Sequence, residues 1–78
     1  MEIQFSKSAR KHKVGKERAR FVISSIEPRV EITNGREKWF WVGVDNRGLL
    51  LEIIAIREGS VLTVIHVMPR SFRRNGDD

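Results

Sequence analysis

The sequence predicts an α+β domain in which two N-terminal helices pack on one face of a three- to four-stranded antiparallel meander sheet. The second half of the chain contains three strand-like runs, over 38–44, 49–57 and 61–68. Short turn signals separate these runs, which favours hairpins between consecutive strands. The first part of the chain instead has apolar residues at helical spacing, which indicates an amphipathic helix.

The N-terminal region is predicted to form the two helices. Ser6 or Ser8 can cap a short helix that runs to about His12, because a serine side chain accepts hydrogen bonds from a first turn. A second helix is predicted over 16–25, since four apolar residues fall on one stripe. Pro28 disfavours helix before it and ends the segment. The stripe consists of Ala19, Val22, Ile23 and Ile26.

A weak strand at 29–33 is predicted to precede the three stronger runs. A two-residue loop between the last two runs would place Ile56 opposite Val61. A four-residue loop between the first two would place Val44 opposite Leu49. Because side chains alternate along a strand, these loop lengths determine which residues share a face of the sheet.

In that register one face of the sheet is almost wholly apolar, and we expect it to receive the helical stripe. The other face is mixed, with Trp39 and Trp41 near Glu52 and Thr63, and it is the candidate for an open surface. A one-residue slip or a bulge would exchange these assignments. The apolar face consists of Phe40, Val42, Val44, Leu49, Leu51, Ile53, Leu62, Val64, His66 and Met68.

The length of 78 residues predicts one small domain over 1–74, with a disordered tail at 75–78. The chain has no cysteine, which is typical of a reducing cytosol. Its N-terminus lacks the apolar core of a signal peptide, and no apolar run approaches the roughly 20 residues of a membrane span. We therefore expect a cytoplasmic protein that does not enter a membrane.

The net charge of +5 is concentrated at the two ends of the chain. Residues 1–20 have a net charge of +5, 21–68 a net charge of −1, and 69–78 a net charge of +1. Basic clusters that are separated in sequence form one electrostatic surface if the fold brings them together. This distribution favours a nucleic acid or an acidic protein as the partner.

Four strings of the sequence have a recognisable order and spacing. They are Arg10-Lys-His-Lys-Val14, Gly43-Val-Asp-Asn-Arg-Gly48, Leu49-Leu-Leu-Glu-Ile-Ile54, and Val64-Ile-His-Val-Met-Pro-Arg70 followed by Arg73-Arg74. Together they resemble the BrnT-like toxins of bacterial type II toxin–antitoxin pairs, which belong with the RelE/ParE-type folds. The resemblance covers most of 5–74, and each string is weak by itself.

The chain departs from the typical family pattern at three places. One is the start of the second helix, where typical members often have a capping Ser or Asp and this chain has Gly15 or Lys16. Typical members have Lys-His-Gly-Val, where this chain has Lys13 in the position of the glycine. They often end the last strand with Ile-Ser-Ala-Arg, whereas this chain is closer to a His-Ala-Met-Pro variant. The strand arginine is therefore missing, and Arg70 or Arg73 would have to supply its charge.

The resemblance implies a ribonuclease of the mRNA interferase type, without a cofactor, that is neutralised by a cognate antitoxin protein. Metal-independent RNA cleavage needs a proton acceptor, a proton donor and fixed positive charge near the phosphate. His66 or Glu52 would be the acid or base, and Arg70 would supply charge. The predicted RNA-binding residues are Arg73, Arg74, Lys11, Arg10, Trp39 and Trp41.

Several of these residues also have a purely structural interpretation. His66 would be a hydrogen-bonded core histidine in the predicted register, and His12 would stabilise the end of a helix. Trp39 and Trp41 would pack under a loop or a partner segment. Glu52 would form an ion pair with an arginine, for example Arg36 or Arg47.

Two other functions stay open from the sequence. One is a non-catalytic nucleic-acid-binding module that uses the same arginines, and the other is an interaction protein whose basic surface docks an acidic partner. Self-association or assembly with a partner is expected for so small a chain. No metal site is predicted, because the two histidines lie 54 positions apart and cysteine is absent.

Overall fold

The computed structural model describes residues 1–70, so the predictions for Arg73, Arg74 and the tail at 75–78 lie outside the described residues. One α-helix and one 3₁₀ turn accompany a five-stranded mixed sheet with the strand order β1-β5-β4-β3-β2. The elements are β1 (Glu2–Phe5), a 3₁₀ turn (Ser8–Arg10), α1 (Lys16–Ser25), β2 (Arg29–Thr33), β3 (Arg36–Val44), β4 (Leu50–Glu58) and β5 (Val61–Pro69).

The predicted pair of N-terminal helices on a three- to four-stranded antiparallel meander is wrong. The first segment forms β1, which pairs in parallel with β5 and places Ile3 beside Leu62 and Phe5 beside Val64. Exposed and half-buried residues alternate along β1, which is the pattern of a strand with one buried face. Only one 3₁₀ turn follows it, where a helix to His12 was predicted.

Helix α1 occupies the predicted residues 16–25 and packs across β3 and β4. Its stripe faces the sheet as expected at Ala19 and Val22, which are buried, whereas Ile26 is 39% exposed. Gly43 allows the close approach of the helix to β3. A Cβ atom at this position would lie 2.8 Å from Ile26 Cδ1 and 3.2 Å from Val22 Cγ1.

The predicted register of β3 against β4 is wrong by one residue. The connecting loop has five residues, 45–49, and Val44 pairs with Leu50. The extra residue belongs to a turn in which the Asp45 carboxylate accepts hydrogen bonds from the backbone N–H groups of Arg47 and Leu49. As a result the β3 side chains exchange faces, and Trp41 enters the core with 1% of its surface exposed.

A bulge in β5 moves the residues that follow it to the opposite face of the sheet from the one predicted. Ala55 pairs with Val64 and Ile54 pairs with His66, so Ile65 has no opposite residue in β4. The residues after the bulge therefore reverse their orientation. Val67 points into the core, where it is 2% exposed, and the prediction that His66 lies on the helix-bearing face is wrong.

The pairing predicted for the last hairpin is also corrected. Glu58 pairs with Val61, and Ile56 pairs with Thr63. The core lies between α1 and one face of the sheet, and the segment before α1 adds Ala9 and Val14 to it. In the part of the chain that is described, no helix is long and apolar enough to cross a membrane. The buried sheet residues are Trp41, Leu51, Ile53, Ala55, Leu62, Val64 and Val67.

Candidate functional site

The sheet face opposite α1, here called the open face, is a largely apolar surface. The residues of this face alternate along the strands with the residues of the core. Two of them, Val42 and Val44, are 43% and 53% exposed. Within this surface lies a pair of polar side chains from β4 and β5. Around this pair, the open face consists of Phe40, Val42, Val44, Leu50, Glu52, Ile54, His66 and Met68, and it continues along the strands to Lys38, Ile56 and Thr63.

Glu52 and His66 form the polar pair at the centre of the open face. His66 Nε2 lies 3.1 Å from Glu52 Oε1, and both side chains are about 30% exposed, at 31% and 28%. A carboxylate oxygen accepts hydrogen bonds, so in this pair Nε2 is assigned as the donor and Nδ1 as the nitrogen that does not contact Glu52. The alternative prediction that Glu52 pairs with Arg36 is wrong, since Arg36 lies 3.4 Å from Glu58.

His12 lies beside His66, although the two residues are far apart in the sequence. The ring centroids are 6.5 Å apart and the ring planes meet at 81°. The Oγ atom of Ser8 donates a hydrogen bond of 2.8 Å to the carbonyl oxygen of Ile65, the bulged residue. This hydrogen bond fixes the 3₁₀ turn against β5 at the bulge, where the side chains of the strand change face. The chain after the turn then places His12 beside His66.

The predicted cations among the described residues are Arg10, Lys11 and Arg70. Arg10 and Lys11 are exposed and directly precede His12 in the chain. Arg70 donates its backbone N–H to Leu50 at 2.9 Å. Strand alternation places it on the same face as His66, about 13 Å further along β5. Arg70 can therefore contact a neighbouring phosphate of a polymer, but it does not lie beside the His66 ring.

Trp39 and Trp41 lie on the helix-bearing side of the sheet, away from His66. Trp41 is buried. The half-buried Trp39 donates its indole N–H to Glu37 at 2.9 Å. The hydrogen bond from Trp39 and the guanidinium of Arg57 lower the pKa of Glu37. These contacts are structural, and neither indole lies on the open face.

Phe40 is the aromatic residue of the open face, and the sequence analysis did not select it as a site residue. The guanidinium carbon of Arg29 lies 4.5 Å from its ring centroid, and Lys38 Nζ lies 5.8 Å from it. Phe40 neighbours Ile54, which in turn pairs with His66. Phe40 alternates with Trp39 and Trp41 in the sequence, so it lies on the opposite face of the sheet. The correct length of the β3–β4 loop would have identified that face as the open one.

A cavity of about 370 Å³ lies beside the β2–β3 turn, and its lining residues Lys38 and Ile56 form the pair two residues along from Phe40 and Ile54. It is lined by Thr33, Asn34, Arg36, Lys38 and Ile56. This cavity contains none of the predicted catalytic residues. The arrangement with acid–base chemistry is the half-buried pair of Glu52 and His66 on the open face, so we place the candidate site there.

The fold and the site together define a small, mostly β protein, in which one helix covers a five-stranded mixed sheet, a histidine–carboxylate pair lies on the other face and a second histidine lies at its edge. Comparisons with protein-family models, with curated proteins and with solved structures find no match to this chain. Within residues 1–70, no three His, Cys, Asp or Glu side chains are grouped closely enough to hold a metal ion.

Proposed function

We propose that this protein is a metal-independent endoribonuclease toxin of a type II toxin–antitoxin pair, which acts in the cytoplasm. The hydrogen bond between Glu52 and His66 is the observation that carries the proposal, because it presents an oriented imidazole on an exposed surface. In this proposal the cognate antitoxin inhibits the enzyme by covering the open face. Its apolar residues, including the exposed Val42 and Val44, suit a protein contact.

The backbone at Lys13 supports the resemblance to BrnT-like toxins. Lys13 has a φ angle of +58°, a left-handed conformation that favours glycine. Glycine is the residue that typical members of the family have at this position. The two neighbours of Lys13, His12 and Val14, also match the family string.

In the proposed reaction, His66 takes a proton from the 2′-hydroxyl group of RNA through Nδ1. Glu52 holds the ring in place and stabilises the imidazolium that forms, which is the role of a carboxylate behind a catalytic histidine. The exposed Arg10 and Lys11 bind phosphates beside the site, and Arg70 binds a phosphate further along the polymer. Phe40 offers a ring face to an unpaired base.

The proposal is tested with purified full-length protein and RNA of mixed sequence in the presence of a chelator. We expect wild type to cleave this RNA and His66→Ala to cleave it about 10²–10⁴-fold more slowly, which is the usual effect of losing a general base. Glu52→Gln should also slow cleavage, since the amide does not stabilise an imidazolium. Glu58→Gln is the matched control, because Glu58 is an exposed glutamate at the end of the same strand.

Expression in bacteria gives an independent measurement of the same proposal. Growth arrest with loss of total RNA is expected for wild type and for Glu58→Gln, but not for His66→Ala at equal protein levels. Normal growth and intact RNA with the wild-type protein would contradict a ribonuclease toxin.

A non-catalytic RNA-binding module is the second candidate function. It is favoured by the stacking of Arg29 on Phe40, an arrangement that can hold bases and phosphates without any acid–base chemistry. This candidate predicts that wild type binds RNA without cleaving it. It also predicts that Phe40→Ala weakens RNA binding while His66→Ala leaves the affinity unchanged.

A further inference from the structure

We propose that His12 is the second proton-transfer residue of the site, and that it donates a proton to the 5′ oxygen that leaves when the RNA is cleaved. This inference rests on the proposed ribonuclease function and adds a specific residue to it. The sequence interpretation of His12 as the end of a helix is replaced, because the helix before it is a single 3₁₀ turn.

The distance between the two histidines fits one phosphodiester group. A proton-transfer contact has a heavy-atom distance of about 2.6–3.2 Å, and the separation of the two oxygens adds to it, so two nitrogens that contact different oxygens of one phosphate lie roughly 5–9 Å apart. The ring centroids of His12 and His66 are 6.5 Å apart, with an interplanar angle of 81°. Two rings at this distance can therefore contact the attacking and the leaving oxygen of the same phosphate.

His12 is exposed but is held between two buried residues. Ala9, three residues before it, is 1% exposed, and Val14, two residues after it, is 9% exposed. Ser6 donates its backbone N–H to the carbonyl oxygen of Val64 at 2.9 Å. Contacts on both sides of His12 limit its position, as a catalytic group requires.

The environments of the two histidines differ and assign their roles. The Glu52 carboxylate forms a hydrogen bond with His66. It therefore stabilises the imidazolium that forms when His66 takes up a proton. His66 is accordingly the proton acceptor in the first step. The remaining role, donation of a proton to the leaving group, falls to His12, which is exposed and follows Lys11 in the chain.

The reaction is a balanced transesterification. The 2′ oxygen of the ribose forms a bond to phosphorus, and the bond between phosphorus and the 5′ oxygen breaks. The 2′-hydroxyl proton moves to His66 Nδ1, and a proton from the imidazolium of His12 moves to the 5′ oxygen. The products are a 2′,3′-cyclic phosphate and a 5′-hydroxyl end, and no further reactant is consumed.

A change of leaving group separates a proton donor from a structural residue. The bond cleaved by wild type is first mapped, and the same RNA is then made with sulfur in place of the 5′ oxygen at that bond. A thiolate leaves without protonation because its pKa is far lower than that of an alcohol. We expect His12→Ala to cleave normal RNA about 10²–10⁴-fold more slowly than wild type, and the sulfur-containing RNA at a rate close to that of wild type.

The control variants make each outcome decisive. His66→Ala should be slow on both RNAs, since sulfur in the leaving group does not replace the proton acceptor. Lys11→Ala tests the loss of an adjacent cation and should change the two rates by the same factor. Equal losses of His12→Ala on both RNAs, or no loss on either, would overturn the role of His12. If wild type cleaves neither RNA, the proposed ribonuclease function itself is wrong.

Discussion

The guanidinium of Arg18 in α1 lies 2.7 Å from the carboxylate of Asp45 in the β3–β4 loop, measured from Nε to Oδ2. The side chain of Asp45 is completely buried, and that of Arg18 is 24% exposed. The other carboxylate oxygen accepts the backbone N–H groups of Arg47 and Leu49, at 2.8 and 2.9 Å. One carboxylate therefore determines the loop length and joins the loop to the helix.

We expect Asp45→Ala to lower the free energy of unfolding by about 2–4 kcal/mol, because it breaks a buried ion pair and leaves backbone donors without their acceptor. Urea denaturation measures the change as a lower midpoint with an unchanged slope. Glu31→Ala is the control, since Glu31 forms an exposed ion pair with Arg29 and its loss should cost less than about 1 kcal/mol. Equal midpoints for the two variants would contradict the role assigned to Asp45.

Asp45 also predicts how the stability of the protein depends on pH. Burial raises the pKa of its carboxyl, but the hydrogen bonds from Leu49, Arg47 and Arg18 outweigh burial and lower the pKa below its ordinary value. A lowered pKa in the folded state adds stability above the unfolded value of about 3.9, and this stability is lost as the pH falls through the folded pKa.

Asp45→Asn isolates this contribution from those of the other carboxylates. The free energy of unfolding of wild type should exceed that of Asp45→Asn near neutral pH. The difference should narrow below about pH 4, where the carboxyl becomes protonated in the unfolded chain, and disappear as the pH falls through the lower folded pKa. A difference that stays constant down to roughly pH 2 would exclude Asp45 as a source of the acid sensitivity.

Local patterns predicted the helix and four of the five strands, because helical spacing, alternation and turn residues are properties of neighbouring residues. The missing strand β1 depends on a parallel pairing with β5, which lies about 60 residues away in the chain. The alternation of Glu2–Phe5 was visible in the sequence, but four residues do not determine a partner. The mixed sheet could therefore not be derived from local patterns.

The site was predicted in part, for a similar reason. His66 and Glu52 were selected by residue type, and the structure brings them together. Glu52 lies on the face that was predicted to be open, whereas His66 reaches that face only through the bulged residue of β5. The extra loop residue moves the tryptophans from that face to the core side. His12 joins them only through the 3₁₀ turn against β5, so the spacing of the histidines in the sequence concealed their proximity.

Lys13 is expected to make the wild-type protein less stable than a variant with glycine at this position. Its φ angle of +58° disfavours any residue with a Cβ atom, at a cost of about 1–2 kcal/mol, whereas glycine adopts this conformation without strain. We expect Lys13→Gly to raise the free energy of unfolding by up to about 1 kcal/mol, measured by urea denaturation. Lys11→Gly is the matched control, because Lys11 has a φ angle of −59° and its replacement should destabilise the protein by about 0.5–1 kcal/mol.

Ser8 connects the stability of the turn with the proposed activity. Its hydrogen bond to the carbonyl oxygen of Ile65 joins the bulge to the segment that leads to His12. Ser8→Ala should cost about 0.5–1.5 kcal/mol of stability, and it should slow RNA cleavage well beyond the change in the folded fraction, because His12 loses its position beside His66. Ser24→Ala is the control, since Ser24 Oγ donates to the Arg20 carbonyl within α1 and lies outside the site. Equal cleavage rates for the two serine variants at equal folded fractions would show that the turn does not position His12.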